Sequence, residues 1–304
     1  MKWFLLAVIA LLFWSGSDFF SKLGSKPDDK LSHWKMVMAV GLVMGLHAAH
    51  EVLFGGVEIS LDIIVTYLPA SLLYILSMTI GYVGLRYIEL SVSSPICNSS
   101  GAIVALACFF ILHQKMAPLQ AAAVTVICVG VLLLGIVSYT EDDEKRALRQ
   151  SKSEVKYTKS LIALLIPVMY CIIDAAGTFA DSILLDILDE ESANVAYEFT
   201  FLLMGIVAAV YVLIIKREPL TRSRDLPKLL GGVCETAGQL AYVFALSAYA
   251  IGAAPVISAY CVVSVLWSRI FLKENLSWKH YAAIALTVVG IVLLGLFEGL
   301  TGEA

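Results

Sequence analysis

Residues 266–296 and 106–136 decide the fold of this chain. The later stretch is LWSRIFLKENLSWKHYAAIALTVVGIVLLGL, and the earlier one is LACFFILHQKMAPLQAAAVTVICVGVLLLGI. Each contains the end of one apolar helix, a short polar turn and a second apolar helix that closes on V-G-x-x-L-L-G. The two copies align without a gap at an offset of 160 residues. Such self-similarity indicates a chain built from two copies of one unit.

The composition excludes an ordinary soluble domain. Of the 304 residues, 60% are apolar, against about 45–50% in an average soluble domain, and the mean hydropathy is +0.86. A membrane-spanning helix needs roughly 20 mostly apolar residues, and the chain offers ten such runs. All six cysteines lie inside these runs without a C-x-x-C pair, which disfavours a disulfide framework or a zinc site. We predict an all-α polytopic membrane protein.

The ten predicted helices fall into two groups of five. Residues 1–140 form the first copy, residues 141–159 a charged linker, and residues 160–304 the second copy. The predicted helices, numbered 1 to 10, span residues 3–20, 35–54, 63–87, 92–112, 117–139, 160–183, 193–215, 229–249, 253–272 and 278–297. Because each copy crosses the membrane an odd number of times, the second copy enters from the opposite side. We therefore predict two inverted repeats with a central site between them.

The basic residues predict an orientation. Nineteen of the 21 lysines and arginines lie nearer to the connections that follow odd-numbered helices, and only Lys2 and Lys115 lie on the other side. Short loops that carry lysine and arginine stay in the cytoplasm. The charge bias therefore places both termini outside the cytoplasm.

A family resemblance adds to this pattern. Residues 270–277, IFLKENLS, precede a helix that ends in VVGIVLLG, and residues 12–17 are LFWSGS. These segments resemble the EamA-type repeat of the drug/metabolite transporter superfamily. The first copy departs from the repeat, because His113-Gln114 stands where the second has Lys273-Glu274. A proline that such repeats often carry midway along helices 4 and 9 is also missing. The resemblance implies a transporter of small metabolites with both termini in the cytoplasm, in contrast to the charge bias.

Predicted helix 6 carries the deepest ionisable residue, Asp174. It lies 14 residues from the helix start, about 21 Å at 1.5 Å per residue, within a hydrocarbon core of roughly 30 Å. Tyr170, Asp174, Gly177 and Asp181 follow helical spacing and form one polar face. Ionisable groups at membrane depth mark pathways by default. We predict that Asp174 and Tyr170 bind substrate or a proton, the alternative being a structural aspartate bonded to hydroxyls of a neighbouring helix.

Predicted helix 8 has a second polar stripe, formed by Glu235, Gln239 and Tyr242. A stripe that faced lipid would be costly, so it is expected to face the bundle interior and to bind substrate or a proton. Tyr82 is the equivalent of Tyr242 in the first copy. The two tyrosines either flank a shared cavity or lie at the membrane interface.

Asn98 and Ser258 also occupy equivalent positions, three residues after Pro95 and Pro255. Because proline removes a backbone donor, helices 4 and 9 are expected to begin irregularly at these prolines. The small polar residues could line the cavity or satisfy freed backbone groups, and the sequence leaves both roles open.

Other ionisable residues are given simpler roles. Arg269, near the end of predicted helix 9, is expected to extend to the membrane interface. Arg86 and Glu89 are expected to pair at the interface. Glu198 lies near the outer end of predicted helix 7, as either a gateway group or a solvated one.

The sequence predicts no metal site and no cofactor. His47, His50 and Glu51 share one helix face, but no third cluster completes a site. The chain has no phosphate loop, nucleophile elbow or nucleic-acid footprint, so we predict no catalytic residue and no nucleic-acid partner.

These features favour a secondary transporter of the cell membrane, not an enzyme. Asp174 and Glu235 are acidic and no deep arginine offsets them, so we expect a cationic or zwitterionic amino-containing substrate, or proton coupling through one carboxylate. A transporter of neutral sugars or nucleosides is the alternative, followed by a membrane scaffold or receptor. The expected partners are a small-molecule substrate, the lipid bilayer and a coupling proton. Both a monomer and a dimer stay open.

Overall fold

The computed structural model describes residues 2–140 and 161–301, so the predicted linker 141–159 lies outside the described residues. Within these two ranges the chain forms helices and turns but no strand. Helices α1 to α11 are Lys2–Gly24, Ser32–His50, Leu61–Gly84, Leu90–Cys97, Ser100–Phe110, Pro118–Tyr139, Leu161–Leu184, Glu190–Ala209, Arg222–Ser258, Tyr260–Phe271 and Trp278–Thr301. Two π-helical segments, Glu51–Gly55 and Val210–Ile215, extend α2 and α8.

Eight segments of the described chain are long and apolar enough to cross a membrane. They are Lys2–Gly24, Ser32–Gly55, Leu61–Gly84, Leu90–Phe110, Pro118–Val137, Leu165–Leu184, Glu190–Ile215 and Arg222–Phe271, and Trp278–Leu294 is a shorter apolar helix. The chain is therefore an all-helical integral membrane protein. Large apolar side chains such as Leu46, Leu203 and Val292 are exposed on the outside of the bundle, where lipid can cover them.

The difference between eight segments and the predicted ten helices arises near the end of the chain. Predicted helices 8 and 9 both lie in Arg222–Phe271, which has 50 residues, and predicted helix 10 corresponds to the shorter helix. The 50 residues would measure about 75 Å as one helix, more than twice the hydrocarbon core. The segment is not one helix, because Tyr249 has φ −162° and ψ 76° and Ala259 separates α9 from α10. A single irregular residue thus replaces the loop expected between helices 8 and 9.

Local sequence signals explain where several helices begin. The Ser60 hydroxyl accepts a hydrogen bond from Ile63 N at 3.3 Å at the start of α3, and Asp189 Oδ1 accepts one from Ser192 N at 2.8 Å at the start of α8. Both bonds satisfy a backbone donor that the helix itself leaves free. Pro118 opens α6, where a proline costs no internal hydrogen bond.

Predicted helix 4 is two helices, α4 and α5, which meet at Asn98 and Ser99. Pro95 lies inside α4 and Pro255 inside α9, so the expectation that helices begin irregularly at these prolines is wrong. The breaks come three to four residues later. At the first break, Asn98 Nδ2 donates to Ser94 O at 2.8 Å and the Ser99 hydroxyl donates to Pro95 O at 3.0 Å. The Ser99 bond satisfies the Pro95 carbonyl, which the interrupted helix leaves free, whereas the Ser94 carbonyl also accepts from Asn98 N at 3.0 Å.

Helix contacts recur at the sequence offset of 160. A Cβ atom added at Gly130 of α6 would lie 2.8 Å from Thr287 N, and one added at Gly290 of α11 would lie 2.9 Å from Ile127 N. Ile127 and Thr287 are themselves 160 residues apart. Helices α2 and α8 approach as closely, since a Cβ atom at Gly41 would lie 2.6 Å from Phe201 O. Gly41 and Gly45 form a G-x-x-x-G pattern in α2, and its small residues permit this close helix packing.

The connections meet at two ends of the bundle. At one end, Lys22 of α1 donates to the carbonyls of Leu85 and Ile88 after α3. At that end, Ser91 N also donates to Glu274 Oε2 at 3.1 Å. At the other end, Ile251 N donates to Gln114 Oε1 at 3.1 Å.

The last two of these bonds are counterparts at the offset of 160. In each, a side chain from the turn of one copy caps the start of a broken helix in the other copy. The turns also share a backbone feature, because His113 and Lys273 have φ of 53° and 57°.

Candidate central cavity

A cavity of about 80 Å³ lies inside the bundle, bordered by α1, α3, α7, α8, α9 and the broken helices. All eight candidate residues predicted from the sequence line it: Tyr82, Asn98, Tyr170, Asp174, Glu235, Gln239, Tyr242 and Ser258. Their roles in binding stay a prediction. Ligand pockets usually measure about 300–1,000 Å³, so this conformation is nearly closed around the cavity and a substrate would need helices to separate.

Asp174 projects from the middle of α7 into the cavity. Ser100 Oγ, at the start of α5, donates a hydrogen bond to Asp174 Oδ2 at 2.8 Å. An ionised carboxylate has about four acceptor positions, so this bond leaves most of its capacity unused. Asp174 remains partly accessible, because it borders the cavity.

Glu235 enters the cavity from α9, together with Gln239 and Tyr242 one and two turns further along the helix. The indole of Trp14 packs on the Tyr242 ring with ring centres 4.9 Å apart. The Tyr242 hydroxyl is hydrogen-bonded to the Tyr74 hydroxyl. The second predicted stripe therefore faces the bundle interior, as its polarity requires.

Asp18 is a third cavity carboxylate, and the sequence analysis missed it. Ser94 Oγ of α4 donates a hydrogen bond to Asp18 Oδ2. Predicted helix 1 ends at residue 20, two residues after Asp18, whereas α1 continues to Gly24. The repeat offset of 160 could have drawn attention to Asp18. Its equivalent in the second copy is Thr178, which lies one helical turn after Asp174.

Aromatic side chains form much of the cavity wall. Seven of them line it: Trp14, Tyr74, Tyr82, Tyr170, Tyr197, Tyr242 and Tyr260. The lining contains three carboxylates but no lysine, arginine or histidine among the residues that the structure describes. The cavity therefore combines aromatic faces with uncompensated acidic groups.

Asp181 lies on the same helix face as Asp174 but outside the cavity, and it is fully buried. Its carboxylate accepts hydrogen bonds from Tyr67 at 2.5 Å and from Tyr74 at 3.2 Å. For Asp174 the sequence left open a structural role, with the carboxylate bonded to hydroxyls of a neighbouring helix. The structure shows this arrangement at Asp181. The two aspartates differ in their neighbours on α3, α5 and α9.

Asn98 and Ser258 line the cavity near the two helix breaks. Asn98 Nδ2 also donates to the Ser94 carbonyl, which accepts the Asn98 backbone N–H as well. Ser258 packs where α5 meets α9, since a Cβ atom at Gly101 would lie 2.6 Å from Ser258 Cβ.

Glu198 is neither a solvated group nor exposed at a gateway. It is fully buried, and its carboxylate contacts His47 Nδ1 at 2.8 Å and accepts from Asn194 Nδ2 at 3.2 Å. His47 therefore bonds across to α8. In the described part of the chain no group of His, Cys, Asp or Glu residues could hold a metal ion.

Arg269 and Arg86, for which the sequence predicted interfacial positions, have different surroundings. Arg269 is exposed at the end of α10, as expected for a side chain at the interface. Arg86 is buried and donates to the carbonyls of Lys30 and Pro27 at 3.1 and 3.2 Å. Main-chain oxygens of the first connection, which the sequence could not associate with it, therefore hold Arg86 in place.

A buried ionic cluster closes one end of the bundle, and none of its four residues lines the cavity. Asp29, between α1 and α2, lies 3.4 Å from Lys35 and 3.2 Å from Lys228. Burial opposes ionisation of Asp29, but the two ammonium groups outweigh it, so the pKa of Asp29 is held below its usual value. Lys228 also contacts Asp225 at 2.8 Å, so every charge in this cluster has a partner of opposite sign.

The helical membrane bundle and its central polar cavity define the class of a membrane transport protein. The sequence profile of the EamA-like transporter family matches residues 1–136 and residues 160–296. The chain therefore belongs to the EamA-like transporter family, whose members are transporters and not enzymes.

Structural comparison agrees on the fold. A solved crystal structure aligns with the chain at a TM-score of 0.60 and 14% sequence identity, covering 98% of this chain and 98% of that one. At this identity the likeness shows the fold alone. Comparison with curated proteins gives no significant match.

Proposed function

We propose that this chain is a secondary transporter of the cell membrane that moves a cationic or zwitterionic amino compound by alternating access. The observation that carries the proposal is the pairing of three carboxylates with no cationic side chain in the described cavity lining. A buried charge without a partner is strongly unfavourable. A substrate ammonium group or a coupling proton would compensate it.

The substrate chemistry follows from the donors that these carboxylates lack. Asp174 and Asp18 each accept a bond from one serine hydroxyl. An ammonium group brings three donors, and the aromatic walls attract a cation through their ring faces. Glu235 or Asp174 would take up a proton when no substrate is bound, which would couple transport to a proton gradient.

The proposed architecture is ten crossings in two inverted repeats, residues 1–140 and 160–304, joined by the linker 141–159. The two profile matches support this division. The irregular residue Tyr249 supports two crossings within Arg222–Phe271. The paired helix caps from Gln114 and Glu274 support antiparallel copies, because they lie at opposite ends of the bundle.

Flux measurements test the proposal directly. Purified protein in proteoliposomes should take up a labelled amine with saturation, and an imposed pH gradient should change the initial rate. A panel of amines, sugars and nucleosides separates the substrate classes. Saturable uptake of sugars or nucleosides without amines would favour the neutral-substrate alternative. No saturable flux of any compound would favour a scaffold or receptor.

The charge bias gives a separate prediction of orientation, with both termini outside the cytoplasm. Four of the nineteen basic residues on the odd-loop side are buried within the protein, Lys22, Lys35, Arg86 and Lys228. Without these four, fifteen basic residues lie on the odd-loop side and two on the other, so the odd-loop side is still predicted to be cytoplasmic. A periplasmic phosphatase fused after Ala304 should be active, and a fluorescent protein exported unfolded there should stay dark. Bright fluorescence would contradict the prediction and agree with the usual family topology.

A further inference from the structure

Three polar atoms on cavity-lining residues have no hydrogen-bond partner in the described part of the chain: Ser21 Oγ, Tyr82 Oη and Gln239 Nε2. Tyr82 and Gln239 are the two with long side chains. Both side chains line the cavity, and they are only 6% and 3% exposed. Buried polar groups in folded proteins nearly always have a partner. Unpartnered polar groups on the wall of one cavity point to a group that is absent when the cavity is empty.

Three other hydroxyls of the cavity wall already have hydrogen-bond partners. Ser94 donates to Asp18, Ser100 donates to Asp174, and the Tyr197 hydroxyl donates to Met78 Sδ at 3.3 Å. Tyr82 and Gln239 therefore differ from these three hydroxyls, and Ser21 is a third wall residue without a partner among the described residues. The carboxylates lack donors, whereas Gln239 Nε2 and the Tyr82 hydroxyl lack an acceptor.

The missing acceptor is an oxygen on the ligand. A ligand carboxylate would add a fourth negative group beside Asp18, Asp174 and Glu235, and the described lining has no lysine, arginine or histidine to balance it. Like charges in a medium of low dielectric repel strongly. An uncharged oxygen, such as an amide carbonyl or a hydroxyl, avoids this repulsion and still accepts both hydrogen bonds.

We infer that the substrate carries an uncharged oxygen acceptor in addition to its amino group, and that Tyr82 and Gln239 bind this oxygen. The inference rests on the proposed transport of an amino compound and narrows its substrate class. Amino amides and amino alcohols fit the cavity better than amino acids or simple alkylamines. Tyr82 on α3 and Gln239 on α9 are the specificity-determining residues.

Three matched compounds test the inference: leucinamide, leucine and 3-methylbutylamine. They share the amino group and the branched side chain, and they differ in having an amide, a carboxylate or neither. Binding to the purified full-length protein is measured by calorimetry. Leucinamide should bind at least about tenfold more tightly than 3-methylbutylamine, because only the amide satisfies both donors. Leucine should bind more weakly than leucinamide.

Variants at the two donors should remove this preference selectively. In Tyr82→Phe and in Gln239→Met, leucinamide affinity should fall at least about fivefold while 3-methylbutylamine affinity is retained. The empty Tyr82→Phe protein should melt at the same temperature as the wild type or higher, because an unsatisfied buried hydroxyl is removed. A structural hydroxyl would give a lower melting temperature.

Tyr197→Phe is the matched control, because it removes a cavity hydroxyl that already has a partner. It should lower the melting temperature and change the affinities for leucinamide and 3-methylbutylamine by the same factor. Gln239→Met keeps the inference testable if Tyr82→Phe fails to fold.

Several outcomes would overturn the inference. They are equal wild-type affinity for leucinamide and 3-methylbutylamine, tighter binding of leucine than of leucinamide, and equal losses for both amines in the donor variants. Failure of all three compounds to bind, while another amine is transported, would overturn it as well and leave the proposed function in place. Absence of flux for every amine would instead overturn the proposed function.

Discussion

Asp29 and Asp174 are both enclosed by helices, yet their surroundings are opposite. Asp29 lies between two lysines at one end of the bundle. Asp174 faces a cavity with two more carboxylates and no cationic side chain among the described lining residues. The same residue type is thus compensated in one place and uncompensated in the other. Compensated charges fix a structure, whereas uncompensated ones leave a position for a ligand or a proton.

The comparison predicts that Asp29→Asn causes the largest loss of stability. Removing one partner of a buried ion pair costs about 3–5 kcal/mol, and we expect the lower end, about 3 kcal/mol, because Lys228 keeps Asp225. Denaturant titration in detergent at pH 7 measures this free energy of unfolding. Asp28→Asn is the control, since Asp28 is 61% exposed and pairs with Arg224 on the surface, where such pairs contribute about 0–1 kcal/mol.

The effect of Asp29 should depend on pH with a definite sign. Its pKa is lower in the folded than in the unfolded protein because Lys228 and Lys35 outweigh the burial that opposes ionisation. Its contribution is therefore present above the unfolded pKa and is lost as the pH falls through the folded pKa. The gap between wild type and Asp29→Asn should narrow under acid. A gap that stays constant below pH 4 would contradict this explanation.

The cavity carboxylates should behave in the opposite way. Asp174→Asn and Glu235→Gln keep the size and the hydrogen-bonding capacity of the side chains but remove the charge. Flux of a cationic substrate should fall by about 30-fold, the range of a lost charge-assisted bond. The melting temperature should stay the same or rise, since an uncompensated charge is removed. Normal flux in both variants across about pH 5.5 to 8 would contradict the acidic-site proposal.

Asp181 is the intermediate case, a buried carboxylate satisfied by tyrosine hydroxyls. Asp181→Asn should cost about 1–2 kcal/mol, because the amide oxygen can accept from Tyr67 or Tyr74 while its NH₂ group opposes the other hydroxyl. Flux per folded molecule should remain within about threefold of wild type. Loss of flux without loss of stability would move Asp181 into the binding site.

The repeated segments and the polar stripes could be read from the sequence because both are local or periodic properties. The offset of 160 paired Tyr82 with Tyr242, and helical spacing alone brought Glu235 and Gln239 to one face. The structure places them all at one cavity. The family membership follows from the same repeated segments.

The sequence failed where the answer depends on a neighbouring helix. Asp174 and Asp181 share one stripe, and only their neighbours on other helices distinguish them. Ser100 of α5 donates to Asp174, whereas Tyr67 and Tyr74 of α3 donate to Asp181. Asp18 was missed because the apolar run ends near residue 20, before α1 ends at Gly24. Glu198 was interpreted as a gateway or a solvated group because the sequence gives no sign of its contact with His47, 151 positions away.

Asp189 gives the smallest predicted effect. Unlike Asp29, Asp174 and Asp181, it is a carboxylate exposed to water. It caps α8 by accepting from Ser192 N at 2.8 Å, and this backbone bond lowers the pKa of Asp189. Asp189→Ala removes the cap and should cost about 1 kcal/mol in the free energy of unfolding.

Asp189→Asn separates the hydrogen bond of this cap from its charge. An asparagine oxygen caps as well as an aspartate, so only the favourable charge at the helix N-terminus is lost, a few tenths of a kcal/mol when exposed. Added salt should shrink that small difference, because it screens the charge and leaves the hydrogen bond intact. Equal losses in Asp189→Ala and Asp189→Asn would show that charge matters even at an exposed carboxylate. Burial and oppositely charged partners would then not be enough to explain the difference between Asp29 and Asp174.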